Sequence, residues 1–359
     1  MTTQHKIAVV LFQLGGPDSL DAVEPFLYNL FRDPDIINFP GAFVARRPLA
    51  KFISARRHTK VAEHYREIGG KSPILELTNA QAAALESELN KTLPARVFVA
   101  MRYWHPLTEE VIAELKKERI SRIILLPLYP QFCKATTVSS MKEWNRQCRI
   151  HHYQDVATLS ICCYHNHPSY IEAIVDNIDK SYANFSDIHP HEIDLIFSAH
   201  GVPVSIVKEG DPYQRQIEET VKLVCERGGW LSPHTLCYQS KVGPAQWLRP
   251  SLDDTLRILA FKKRRHVLVI PIAFLTEHIE TLHEINIEAR AEAAKLGFKR
   301  FEMMPALNDH PKFIKCLADL VIKKSSGAAI DLPSCKTLFQ AGPGRAAPSG
   351  CPYWTEGSR

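Results

Sequence analysis

Val9-Val10-Leu11-Phe12-Gln13-Leu14-Gly15-Gly16-Pro17 and Leu195-Ile196-Phe197-Ser198-Ala199-His200-Gly201-Val202-Pro203 share one design, a buried apolar run closed by a tight Gly/Pro turn. A short continuous apolar run between turn residues suits a strand covered on both faces, as in a parallel sheet with helices on either side. Similar runs predict strands at Ile7 to Phe12, Arg96 to Met101, Ile123 to Leu128, Leu195 to Ser198, Leu236 to Gln239 and His266 to Ile270. Between them, stretches of helical character predict helices at Ser19 to Phe31, Thr78 to Leu93, Leu107 to Glu118, Asp211 to Arg227 and Glu277 to Leu296. This alternation predicts a doubly wound α/β protein of two similar halves. Ligands in such sheets bind beyond the carboxyl ends of the strands, so both Gly/Pro turns are expected to face a cleft.

The chain of 359 residues is long enough for two such domains, expected at 1–155 and 156–324, followed by an irregular Ser/Gly/Ala/Pro-rich tail at 325–359. Hydrophobic residues at 45% and charged residues at 23% fit an ordinary globular protein. The longest apolar runs, Ile7 to Phe12 and Val267 to Leu275, fall well short of a bilayer span, and the first residues resemble neither a secretion signal nor a transit peptide, so a cytoplasmic location is expected. A net charge of +5, from 44 basic and 39 acidic residues, is too balanced for a nucleic-acid binder. The nine scattered cysteines are expected to be mostly reduced core thiols. Neither a GxGxxG fingerprint nor a GxxxxGK[ST] loop occurs, which disfavours a nucleotide enzyme.

Four features could carry chemistry. His200 ends a predicted strand beside Gly201, and an imidazole there can exchange protons or touch a metal near neutral pH; in a chain with 16 histidines, position alone more often means structure. Glu277, Glu280, Glu284 and Glu288 recur every three or four residues, so on an α-helix they form one stripe, either a solvated face or a track for protons or a divalent cation. From Ile36 to Ala62 there is no acid, and Arg46, Arg47, Lys51, Arg56, Arg57 and Lys60 are interleaved with Phe39, Phe43 and Phe52. Such a stretch suits a lip for an anionic amphiphile or a membrane surface, or a plain basic helix. Lastly, Arg102-Tyr103-Trp104 and Gln239-Ser240-Lys241, with Trp247 beyond, place aromatics and cations at strand ends.

Ordered segments then carry a specific resemblance: Leu14 to Pro17, Tyr65 to Pro73, Arg102 to Pro106, Leu128 to Phe132, Phe197 to Pro203, Gly210 to Tyr213, Gln239 to Pro244 and Phe274 to Glu284. The chain resembles the ferrochelatases over about residues 6 to 323. The resemblance implies two Rossmann-like domains with a porphyrin cleft between them, and insertion of Fe2+ into protoporphyrin IX with release of two protons. It implies His200 and Glu280 as catalytic residues, and these two together with Glu277, His278 and Glu284 as metal ligands. Leu14, Arg57, Tyr65, Ser72, Arg102, Tyr103, Trp247 and Phe274 match substrate-pocket positions. Iron is substrate, no resident cofactor is required, and reversible peripheral membrane contact through the lip is expected. Lys134 stands where cluster-bearing relatives place a cysteine, and the tail holds only Cys335 and Cys351, so a [2Fe–2S] cluster, which needs four ligands, is not expected. Loading of coproporphyrin or another tetrapyrrole, and a non-catalytic haem or porphyrin carrier, are the competing readings.

Overall fold

A computed structural model describes residues 7–36, 42–239 and 245–327, apart from the side chains of residues 42–44. The first half runs β1 (Ile7–Gln13), α1 (Val23–Phe31), α2 (Ala42–Glu67), α3 (Ile74–Leu89), β2 (Ala95–Met101), α4 (Thr108–Lys117), β3 (Arg122–Pro127), a short π-helix Lys134–Val138, α5 (Ser139–Ile150) and β4 (Ala157–Ser160). The second runs α6 (Pro168–Tyr182), β5 (Ile193–His200), α7 (Val204–Lys208), α8 (Tyr213–Gly228), β6 (His234–Gln239), α9 (Leu252–Phe261), β7 (His266–Pro271), a π-helix Glu280–Ala289, α10 (Arg290–Lys295), β8 (Arg300–Met303) and α11 (Pro311–Ser325).

The strands form two four-stranded parallel sheets of identical order, β2-β1-β3-β4 and β6-β5-β7-β8. In each, the chain starts at an inner strand, crosses to one neighbour and then to the other, so β1 and β5 both border the point where the winding reverses. That point is where an open α/β sheet leaves a crevice.

Alternate residues of each central strand enter different cores. In β1, Val9 and Leu11 pack with α3, α6, α8 and α11, whereas Ala8, Val10 and Phe12 pack with α4 and α5. In β5, Leu195 and Phe197 join the first of these clusters, while Ile196 faces α9 and the π-helix residue Ile285. One continuous core therefore joins the two sheets. The last helix, α11, packs on α3 as well as α6, so the chain returns to its first half before the described residues end.

All six predicted strands are present, with β4 and β8 added. Those two are four-residue edge strands with half-polar, largely exposed or partly exposed sequences, Ala157-Thr158-Leu159-Ser160 and Arg300-Phe301-Glu302-Met303, which lack the apolar run used to find the others. The helix expected from Glu277 to Leu296 is corrected. The ten residues Glu280–Ala289 are π-helical, and Glu277 and His278 lie in the loop before them. Bonds from i to i+5 disrupt the α-helical stripe, and π segments occur frequently at functional sites.

Candidate active site

β5 delivers His200, and the connection after β7 delivers Phe274, His278 and Glu280, so both reach the crevice of the second sheet. His200 Nε2 lies 3.8 Å from Glu280 Oε1, and His278 Nε2 lies 3.6 Å from Glu280 Oε2. One carboxylate thus sits between two imidazoles. The rings of Trp247 and Phe274 stand edge-on to His200, with centroids 6.4 and 6.5 Å away.

Backbone contacts fix this group. His278 Nδ1 lies 2.9 Å from the Thr276 carbonyl, which can only accept, so Nδ1 carries a proton and Nε2 faces the carboxylate. Burial alone would lower the His278 pKa, but Glu280, the Thr276 carbonyl and Glu277 together outweigh burial and raise it. Burial likewise opposes ionisation of Glu280, yet His200 and His278 hold its pKa well below the ordinary carboxylate range. Gln239 Nε2 donates to the Glu280 carbonyl at 3.0 Å while its Oε1 accepts from Ser198 Oγ at 2.7 Å. The Tyr213 hydroxyl donates to the His200 carbonyl at 3.0 Å.

The first half reaches the same loop through buried polar side chains. Thr276 Oγ1 donates to Gln81 Oε1 at 3.2 Å and accepts from Gln13 Nε2 at 3.4 Å, and Gln81 Nε2 donates to the Asn308 carbonyl at 2.8 Å. Sequence reading missed these three residues. Their only signal was a polar side chain at a position expected to be apolar.

Beside the carboxylate opens a cavity of about 580 Å³, within the range of small-molecule sites. Phe26, Leu27, Leu30, Phe52, Ile53 and Val61 give it an apolar wall from α1 and α2, and Arg56, Arg57 and Lys60 add three cations; His278, Glu280 and Glu284 come from the second half. Leu14, Tyr65 and Ser72 also line it. Ser72 reaches this position because residue 16 is glycine: a Cβ there would meet Ser72 Oγ at 2.5 Å. Gly15 makes the turn with φ +89°, a conformation that favours glycine.

Not every expected residue is brought together. Glu277 is occupied elsewhere, its Oε1 accepting from the Ala306 amide at 2.7 Å and its Oε2 from the Thr281 hydroxyl. Arg102 and Tyr103 are absent from the cavity wall and instead converge on Asp33, a residue missed by sequence reading. Asp33 Oδ2 accepts from Arg102 at 2.7 Å, from the Tyr103 hydroxyl at 2.7 Å and from Ser139 Oγ at 2.5 Å. Phe274 and Trp247 sit by His200 and do not line the cavity. Phe39, residues 240–244, Cys335 and Cys351 lie outside the described residues. Six of the seven described cysteines are buried.

Residues 6–325 match the ferrochelatase family model. The ferrochelatase of Geobacter metallireducens is 48% identical over 324 residues, covering 89% of this chain and 98% of that protein. The chain belongs to the ferrochelatase family. A second member, from a Picosynechococcus strain, is 47% identical over 321 residues, 88% of this chain and 82% of its own length. Among solved structures, SirB from Bacillus subtilis with Fe3+ covers 90% of this chain and 96% of its own, with a TM-score of 0.54 at 12% identity. At that identity the likeness concerns the fold alone, and it gives the two-sheet ferrochelatase chain a chelatase-like architecture. Among the described residues no helix is long and apolar enough to cross a membrane.

Proposed function

We propose that His200, Glu280 and His278 carry out the chemistry of this ferrochelatase, a lyase of haem biosynthesis that inserts iron into protoporphyrin. The observation that carries the assignment is the ionised Glu280 carboxylate held between two imidazoles on the border of an apolar, cation-edged cavity. Protoporphyrin is a flat apolar ring with two carboxylates. The α1–α2 wall suits the ring, and Arg56, Arg57 and Lys60 suit the carboxylates.

Insertion of Fe2+ displaces two pyrrole protons and forms four Fe–N bonds. His200 is the base that receives protons, because an imidazole exchanges them near neutral pH. Glu280, held ionised, is the counter-ion to the imidazolium and an oxygen ligand for arriving iron, with Glu284 beside the same cavity. Carboxylate and imidazole bind ferrous iron without the tight hold of thiolates, so the metal can be released to the ring. Glu277 is assigned to holding the loop, since both its oxygens are taken by the chain. Arg102 and Tyr103 are assigned to fastening α1 to the first sheet through Asp33.

The test is anaerobic incubation of the purified protein with Fe2+ or Zn2+ and protoporphyrin, followed by visible absorption. The His200→Ala protein is expected to bind porphyrin, seen by fluorescence, and to insert no metal. Turnover within about threefold of the parent, a loss below roughly 1 kcal/mol of transition-state stabilisation, would remove His200 from the mechanism.

A further inference from the structure

We propose that His64, His283 and Glu288 form a binding site for a divalent transition-metal cation, separate from the His200–Glu280 pair, that clamps α2 to the π-helix. Each of the three offers one ligand atom, and these atoms lie within 4.8 Å of one another.

The decisive group is His283, which is only 2% exposed. Its Nε2 lies 3.1 Å from Glu67 Oε2, and an ionised carboxylate cannot donate, so Nε2 carries the hydrogen. In the neutral ring that leaves Nδ1 with a lone pair. It is buried, has no hydrogen-bond partner, and lies 3.9 Å from Glu288 Oε1, beyond hydrogen-bond range. A buried nitrogen lone pair and a carboxylate oxygen therefore face each other with nothing positive between them. A cation in that gap would satisfy both.

The same Glu67 contact has the form of a metal ligand's support. A histidine that ligates a metal through one ring nitrogen almost always donates the hydrogen of the other to a carboxylate or carbonyl, which fixes its tautomer and orientation. The Glu67–His283 pair is already arranged that way, with the free nitrogen on the side of Glu288.

His64 completes the set from α2. Its ring stacks on His283 with centroids 4.0 Å apart and planes 12° from parallel. A metal in the plane of one ring cannot lie in the plane of a parallel neighbour, so His64 turns out of the stack to bind. Metal–nitrogen bonds of about 2.0–2.1 Å in a tetrahedral site put ligand atoms roughly 3.3–3.5 Å apart, so the group must also close by about 1 Å. Glu288, with a side chain 53% exposed, and His64, partly exposed, have room for this.

Two imidazoles and one carboxylate select borderline cations such as Zn2+, Co2+, Ni2+ or Fe2+, not the all-oxygen partners of Mg2+ or Ca2+. Occupancy ties α2, which carries Arg56, Arg57 and Lys60, to the π-helix that carries Glu280 and Glu284. The cation would therefore brace the two walls of the cavity.

The experiment is a Co2+ titration of full-length protein without porphyrin, read by the visible absorption of cobalt and by thermal unfolding. It is done in the His200→Ala background so that the inner pair contributes least. One Co2+ is expected to bind and to raise the melting temperature. Adding His64→Gln or Glu288→Gln should abolish both effects, and Glu67→Gln should weaken binding by about tenfold. His283→Gln changes a buried residue, so its melting temperature without metal is compared first; the His64 and Glu288 variants carry the test if it unfolds. Equal Co2+ affinity with and without His64 and Glu288, or no cobalt band in the parent, overturns the proposal.

Discussion

Replacing Glu280 by glutamine keeps the shape of the side chain and removes the charge that organises the site. The two imidazole nitrogens lie 3.8 and 3.6 Å from its oxygens. His200 is about a third exposed, so an effective dielectric of about 40 is apt, between about 20 near a protein surface and about 80 in water. Each charged contact is then worth about 2 kcal/mol, and the two together about 4 kcal/mol if both rings are cationic as the pyrrole protons depart. At 1.4 kcal/mol per factor of ten, Glu280→Gln should slow insertion by roughly 10²- to 10³-fold with porphyrin in excess. The rate should be measured anaerobically against pH, because loss of the anion also removes what raises the His278 pKa and so moves the profile to lower pH.

Thermal unfolding gives an independent reading of the same substitution. The lowered pKa of Glu280 contributes stability above the unfolded carboxyl pKa of 4.5, and this is lost as pH falls through the folded value. The raised pKa of His278 contributes stability below 6.5, and this is lost as pH rises through its folded value. Both contributions are complete between about pH 4.5 and 6.5. The difference in melting temperature between parent and Glu280→Gln should be largest there and shrink in alkaline buffer. A rate within threefold of the parent, with an unshifted profile and a pH-independent stability difference, would refute the reasoning.

Other positions yield further tests. Gly16→Ala places a methyl 2.5 Å from Ser72 Oγ and should cost about 1–3 kcal/mol in denaturant unfolding, with weaker porphyrin binding as Ser72 is displaced. Asp33→Asn leaves the Arg102 guanidinium without its counter-charge and should destabilise the protein by about 3 kcal/mol; a loss under 1 kcal/mol would show that the pair is not structural. Changing Arg46 and Arg47 to Glu should weaken sedimentation with anionic vesicles by at least about 1 kcal/mol per charge, since Phe52 on the same helix is 63% exposed and available to insert. Unchanged vesicle binding would leave α2 as cavity wall alone.

The fold was legible wherever a strand is covered on both faces. β1, β3, β5 and β7 are apolar nearly throughout because each alternate residue enters a different core, so a run of Val, Ile and Leu marks them whatever lies around. The edge strands β4 and β8 have no such obligation and left no mark. His200 and Glu280 stood out in the sequence only as candidates, one by its place at a strand end and the other within an acidic run, and the resemblance singled them out; the structure brings them to 3.8 Å from each other. Asp33, Gln13, Gln81 and Thr276 could not be found, for they act by meeting residues far along the chain: Gln13 and Thr276 are 263 positions apart. The acidic stripe was read with the wrong ruler. An α-helical spacing grouped Glu277 with Glu280, but the chain is not helical at Glu277, and that carboxylate is spent on Thr281 and Ala306.

The repeated half bears on the proposed division between ring binding and chemistry. When the two opening segments are laid together, Val9 falls on Leu195, Phe12 on Ser198 and Leu14 on His200, and the sheets agree: Phe12 pairs with Pro127, and Ser198 with Pro271. Leu14 and His200 therefore hold equivalent places at the mouths of equivalent crevices, each followed by a glycine. In the first half that place is apolar and lines the cavity beside α1 and α2. In the second it is an imidazole facing an ionised carboxylate. In the proposed reaction a flat apolar substrate needs both kinds of surface, and Glu280 lines the same cavity as Leu14. Two copies of one crevice, joined by a common core, would supply both surfaces by carrying different residue types at a shared position.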